Sequence, residues 1–399
     1  MDRLRNPFTP GAGALPPELA GRSSVIDDGR VLAGRALLRR YEKSLLLIGL
    51  RGVGKTVLLK YLAENAKRSG VVPVVIEVRN AQSDFEELAL RVKDALCTID
   101  FSSRVKDSVN HAFSTLRNFV RTFSLNIGDF GIAVETARGV ASSGKMELDL
   151  SEVLLACARA AKESNKAIGM YVDELQNLQI EAMRGISVAL HFAAQESLPL
   201  YLVGSGLPSI RALVGKSKTY AERMFNYAEI GALCKEDVDL AITVPLNNNG
   251  LDIEADAIAE VFESTKGYPY FLQEYGYQLW NAAERSTISA DDVRRIAPDV
   301  QRRLDANFFD VRFDRISSRE KEFLRAMAEC PQDKAVPMAE IADKMGRSQS
   351  AISPVRASLI RKGVAYSPEY GRIAYTVPMF ADYLKRTMRL NQKDTKETT

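Results

Sequence analysis

The chain has 399 residues, 46% of them hydrophobic, and a formal net charge of +3 from 54 Lys plus Arg against 51 Asp plus Glu. That is material for two or three packed domains, and a charge this small gives no bulk electrostatic argument for a nucleic-acid partner. No apolar run approaches the ~20 residues of a membrane span and the start lacks a signal-peptide core, which places the chain in the cytoplasm with no membrane partner. Cys97, Cys157, Cys234 and Cys330 lie far apart, and with only His111 and His191 beside them no zinc-ligand spacing exists.

Residues 1–18 carry Pro7, Pro10, Pro16, Pro17, Gly11 and Gly13, so they read as an extended leader that cannot be helical. An arm over 19–22, ending at Arg22, precedes a helical stretch to Tyr41. The apolar run 45–48 is then followed by Gly49, Gly52, Val53, Gly54, Lys55, Thr56 and Val57, which is G-x-x-x-x-G-K-[ST] between a strand and a helix. Glycines suit such a loop because consecutive backbone N–H groups must close on phosphate oxygens, at a helix N-terminus that adds partial positive charge. Lys55 would reach the β- and γ-phosphates of ATP, and the Thr56 hydroxyl would hold Mg²⁺. The arm at Arg22 is placed either to cover the nucleotide base or simply to pack.

Residues 71–78 are largely β-branched and read as a buried parallel strand, and a capping-box spacing at Ser83 and Glu86 starts a helix to about Ile99. The segment 102–148 reads as an insertion, helical over 102–123, with a short hairpin over 123–134. Helical periodicity returns over 149–164. The apolar strand 167–172 then delivers Asp173 and Glu174 at its C-terminal end, the ligand edge of a parallel α/β sheet. Asp173 would bind Mg²⁺ and Glu174 would orient and deprotonate the attacking water. Read alone, such a pair is a helix N-cap; with the glycine loop upstream it reads as catalytic.

A further buried strand, 200–203, ends at Ser205, which either senses the γ-phosphate or caps a helix. Arg223, just before an expected last strand over 228–233, either acts on phosphate as an arginine finger or is solvated. From 235 to 286 the pattern is wholly helical, with a Gly267, Tyr268, Pro269 corner that can start a helix and abut a nucleotide base.

The C-terminal stretch reads as helices over 317–330, 337–345 and 348–362, then strands over 364–366 and 372–377, the plan of a winged helix-turn-helix. Between Lys344 and Lys362 stand five basic residues and no acid. The third helix would present Gln349, Ser353 and Arg356 to the major groove of double-stranded DNA, and Arg372 on the wing would meet phosphate; neither arginine is expected in the core.

Taken together, the Asn6 to Phe8 leader, the 19–22 arm, the glycine loop, Val172 with Asp173 and Glu174, the stretch 220–225, the Gly267 to Gln273 corner and the winged helix resemble the AAA-type P-loop ATPases similar to the origin-recognition family. The resemblance implies an α/β fold: a parallel five-stranded P-loop NTPase sheet with a helical lid, plus a C-terminal winged helix-turn-helix. It also implies ATP and Mg²⁺ as ligands, slow hydrolysis to ADP, and a possible homo-oligomer. The expected division is a leader (1–18), an ATPase core (19–234), a lid (235–312), the winged helix (313–390) and a disordered tail (391–399). One departure stands out: origin-binding members place an arginine in the lid that reaches the γ-phosphate, whereas this lid carries Gly267, Tyr268 and Pro269, as in signal-transduction ATPases. Two readings follow, a DNA-binding ATPase and a nucleotide-gated switch whose winged helix docks on the core or on a partner effector protein.

Overall fold

The computed structural model describes residues 1–11, 13–79, 82–99, 105–127, 140–331 and 335–394, with side chains to 388. It falls into two compact units, one of 22–49 and 55–230, the other of 1–21, 50–54 and 231–399.

The first unit is an α/β sandwich. In chain order it holds α1 (Ser23–Leu37), β1 (Ser44–Ile48), α2 (Lys55–Arg68), β2 (Val71–Glu77), α3 (Gln82–Cys97), α4 (Lys106–Thr122), α5 (Met146–Glu163), β3 (Ala167–Asp173), α6 (Ile180–Gln195), β4 (Leu200–Gly206), α7 (Ile210–Ser217) and β5 (Phe225–Glu229). The five strands are parallel in the order β2-β3-β4-β1-β5. The three inner strands are buried at every position, as expected where helices cover both faces. Leu46 and Leu47 are wholly inaccessible, and each buried leucine contributes about 1.5–3 kcal/mol. Register fixes the chemistry: Ile48 stands opposite Gly206 and Val172 opposite Gly204, so the C-terminal ends of β1, β3 and β4 reach one edge together.

Within the 102–148 segment, α4 lies inside the stretch expected to be helical, 102–123; α5 begins at Met146, three residues before its expected start, and part of the expected hairpin lies outside the described residues. The last strand runs Phe225–Glu229 rather than over 228–233: pairing with β1 starts it three residues early, through the polar Asn226, and ends with Glu229 opposite Ile48.

The second unit begins with the leader, which includes a single 3₁₀ turn at Arg3–Arg5, ahead of the first proline; the expectation of no helix there is corrected by that turn, which Asp2 caps by accepting from the Leu4 amide. Phe8 is buried against Gly276, where a Cβ would stand 2.4 Å from its ring. Next come α8 (Lys235–Asn247), β6 (Asp252–Ile253), α9 (Ala255–Thr265), α10 (Pro269–Ala282), β7 (Thr287–Ile288), α11 (Ala290–Leu304), a π-helical turn (Asp305–Asp310) and α12 (Val311–Phe313). The stretch expected to be all helical, 235–286, thus contains β6, which pairs with β7 just beyond its end. The chain ends with α13 (Ser318–Ala328), β8 (Val336–Pro337), α14 (Met338–Met345), α15 (Gln349–Arg361), β9 (Ala365–Tyr366), β10 (Arg372–Tyr375) and α16 (Phe380–Asp394), the three strands pairing antiparallel as β8-β10-β9. The tail expected from 391 is helical to Asp394, and 395–399 lie outside the described residues. Among the described residues no helix is long and apolar enough to cross a membrane.

Candidate nucleotide site

The glycine loop has the backbone its sequence requires. Gly52 and Gly54 have φ of +83° and +91°, conformations that side chains rarely adopt. Lys55 and Thr56 open α2, with Lys55 buried rather than projecting into solvent.

In the sheet unit, strand register gathers four of the expected residues. Thr56 Oγ1 donates to Asp173 Oδ2 at 2.6 Å, the buried Ser205 hydroxyl donates to Asp173 Oδ1, and the Glu174 amide donates to the same Oδ1 at 2.9 Å. Both carboxylate oxygens of Asp173 are therefore engaged. Glu174 occupies the left-handed region at φ 51°, where the chain turns out of β3, and its Oε2 accepts from the Gln176 side-chain amide. Gln176 was not legible as a site residue: a glutamine in a turn reads as solvated.

A hydroxyl and a carboxylate are hard oxygen donors that suit Mg²⁺. Among the described residues no group of three or more His, Cys, Asp or Glu could hold a metal by itself, so a cation at Thr56 and Asp173 would complete its shell from phosphate and water, the usual Mg²⁺ arrangement.

Residues 50–54 belong to the second unit, where the loop tip is enclosed. The Tyr268 hydroxyl donates to the Arg51 carbonyl, the Tyr270 amide to the Gly52 carbonyl at 3.3 Å, and the Arg51 amide to the Thr376 carbonyl at 2.9 Å. A Cβ on Gly52 would meet Tyr268 at 3.0 Å, Tyr270 at 3.3 Å and Phe308 at 3.4 Å. Tyr270 stacks on Phe308 at 4.6 Å, and the Arg312 guanidinium lies 4.4 Å over that ring. Burial lowers the Arg312 pKa from its ordinary value, and the positive Arg51 adds to the effect; burial likewise raises the Tyr268 phenol. Pro269 stands at the start of α10, as its place after Gly267 implies.

Arg22 is the N-cap position of α1, and Arg223 is exposed on the turn Ala221–Met224 before β5. In α15, Gln349 and Ser353 are exposed, whereas Arg356 is half-buried with Nη2 donating to Ser367 Oγ at 2.7 Å and a buried Nε that has no hydrogen-bond partner among the described atoms. Arg372 is half-buried as well, Nη1 donating to the Ala335 carbonyl at 2.7 Å.

The comparisons agree with this geometry. Residues 18–202 match the AAA ATPase domain, and residues 306–384 match a domain of unknown function (DUF8462). No curated protein matches the chain in sequence. Among solved structures, the chain is similar to the Walker-type ATPase paby2304 of Pyrococcus abyssi, at 16% identity and a TM-score of 0.54, over 90% of this chain and 95% of that one. It is also similar to the ADP form of the Aeropyrum pernix ORC2 protein, at 13% identity and a TM-score of 0.54, over 98% of each chain. A phosphate loop of the required spacing and backbone, acids at the end of β3 and the match over 18–202 make this part of the chain an AAA ATPase domain, in a fold like that of these two solved structures.

Proposed function

We propose that the protein binds ATP with Mg²⁺, hydrolyses it slowly to ADP, and uses the nucleotide state to set the placement of its C-terminal module, 313–390, which we read as a winged helix. The observation that carries this reading is the bond from the Arg51 amide to the Thr376 carbonyl, which puts the third residue of the phosphate loop in the hydrogen-bonding register of that module. A ligand that reshapes the loop acts on the module through this bond, and the coupling has the sign of its differential affinity for the docked and undocked states.

In this reading Gly49, Gly52, Val53, Gly54 and Val57 line the phosphates with backbone, Lys55 neutralises the β- and γ-phosphates, and Thr56 with Asp173 would hold Mg²⁺. Bound Mg²⁺ supplies charge neutralisation on the β- and γ-oxygens. Glu174 takes the proton of the attacking water, and Ser205 reports on the γ-phosphate through its bond to Asp173. Arg22 and Pro269 flank the base, and Arg223 serves a neighbouring subunit of a homo-oligomer. Cys97, Cys157, Cys234 and Cys330 form no disulfide among the described residues, which suits a reducing cytoplasm. The test is ATP and ADP titration together with phosphate release: binding with slow, Mg²⁺-dependent turnover is expected, and a chain that binds neither nucleotide contradicts the reading.

A second reading, duplex DNA as the ligand of α15, is favoured by the exposed Gln349 and Ser353 and by the exposed basic residues Lys344, Arg347 and Arg361 around them. In the first reading the same face meets a partner effector protein.

A further inference from the structure

The Gln176 side chain joins two strand ends. Its Nε2 donates to Glu174 Oε2, and its Oε1 accepts from the Leu207 amide, 31 residues away, at 2.9 Å. Gly206 makes room for this: a Cβ there would stand 1.9 Å from Gln176 Oε1. Ser205, two residues before Leu207 at the end of β4, is bonded to Asp173, the neighbour of Glu174. The two acids at the end of β3 are thus each tied to the tip of β4, Asp173 through a hydroxyl and Glu174 through an amide. Glu174 has a left-handed backbone where the chain leaves β3.

We infer that Gln176 is a positioning residue for ATP hydrolysis: its amide fixes the direction of the Glu174 carboxylate and transmits to it any movement of the β4 tip at Ser205. The inference rests on Glu174 being the general base. A carboxylate held at one oxygen by a fixed donor points its other oxygen in one direction, which is the restriction a general base needs. A plain packing role for Gln176 would stabilise the turn without acting through Glu174.

The test uses the full chain and a double-mutant cycle. ATP affinity, KM, single-turnover rate and Tm are measured for Gln176→Ala and the equally sized Gln176→Glu, in wild-type and Glu174→Gln backgrounds. Gln176→Ala is expected to lower kcat about tenfold with KM and ATP affinity within about twofold, and to have no further effect once Glu174 is glutamine. Gln176→Glu, which offers no amide donor, should show the same loss and carries the test if the alanine variant does not fold. An unchanged kcat, or an equal fractional loss in both backgrounds, overturns the inference. Loss of function at Glu174→Gln with normal turnover in both Gln176 variants would sink this inference alone; turnover unaffected by Glu174→Gln would sink the general-base reading and this inference with it.

Discussion

The Arg51 amide and the Thr376 carbonyl are 2.9 Å apart, a main-chain bond between a phosphate loop and a strand end more than three hundred residues later. Thr376 is fully buried, and its hydroxyl donates to the carbonyls of Gly363 and Val364 at 2.7 and 3.0 Å. A Cβ on Gly363 would in turn stand 2.8 Å from the Arg51 guanidinium. Both the backbone and the side chain of Arg51 therefore face the C-terminal module.

Two substitutions separate binding from chemistry at the core of the site. Lys55→Ala should abolish ATP binding while the protein stays folded, checked by titration and by circular dichroism. Glu174→Gln should keep ATP affinity but hydrolyse about 10²–10⁴-fold more slowly, the usual cost of losing a general base. Turnover unchanged in Glu174→Gln would reduce Glu174 to a turn residue.

Arg223 tests assembly. Because it is exposed on the turn before β5, it can serve a neighbouring subunit, and a finger supplied in trans makes specific activity depend on protein concentration. Specific activity should fall on dilution in the wild type, and Arg223→Ala should lower it at every concentration. Activity flat across dilution and unchanged by the mutation removes both the finger and the shared site.

Acid should weaken the C-terminal module through Glu320. Burial alone would raise its pKa, but hydrogen bonds from Lys362, from the Ser317 amide and from Ser358 outweigh it and bring the carboxyl down to about 2. Lys362 Nζ stands 2.8 Å from Glu320 Oε2. A carboxyl whose pKa is lowered on folding contributes stability that is complete above its unfolded value near 4.5 and fades as pH falls toward about 2. Glu320→Gln should cost about 2 kcal/mol at neutral pH and flatten the stability profile between those values, measured by denaturation at several pH values.

The basic residues of the module divide by their bonds. Arg356 and Arg372 each hold part of the hairpin, so Arg356→Ala and Arg372→Ala should each lower stability by about 1–2 kcal/mol whatever the module binds. Gln349→Ala and Ser353→Ala, at exposed positions, should leave stability unchanged. If α15 reads DNA, they weaken duplex binding by about 1–3 kcal/mol; duplex affinity identical to wild type in all four variants removes the DNA reading.

What the sequence made legible follows from how local each signal is. The loop from Gly49 to Thr56 carries its whole geometry in eight consecutive residues, and β1, β3 and β4 announce themselves as unbroken apolar runs because both faces are covered. β8 has only two residues and exists through pairing with β10, so periodicity could not reveal it. The same holds for Gln176 and Thr376: their roles arise from partners 31 and 325 positions away, and nothing in their neighbouring residues marks them. Arg356 and Arg372 look like a groove-facing pair in sequence because basic residues without nearby acids read as exposed, yet Ser367 and the Ala335 carbonyl supply partners that only the folded hairpin brings near.

The central claim, that nucleotide state sets the placement of the C-terminal module, is tested most directly by residue-resolved hydrogen exchange at the Arg51 amide in full-length Glu174→Gln protein. ATP contacts on the loop would by themselves slow exchange, so acceleration reports the loss of the Thr376 acceptor. The amide should be protected with ADP and exchange about tenfold or more faster with ATP. Equal protection in the two nucleotide states would contradict it.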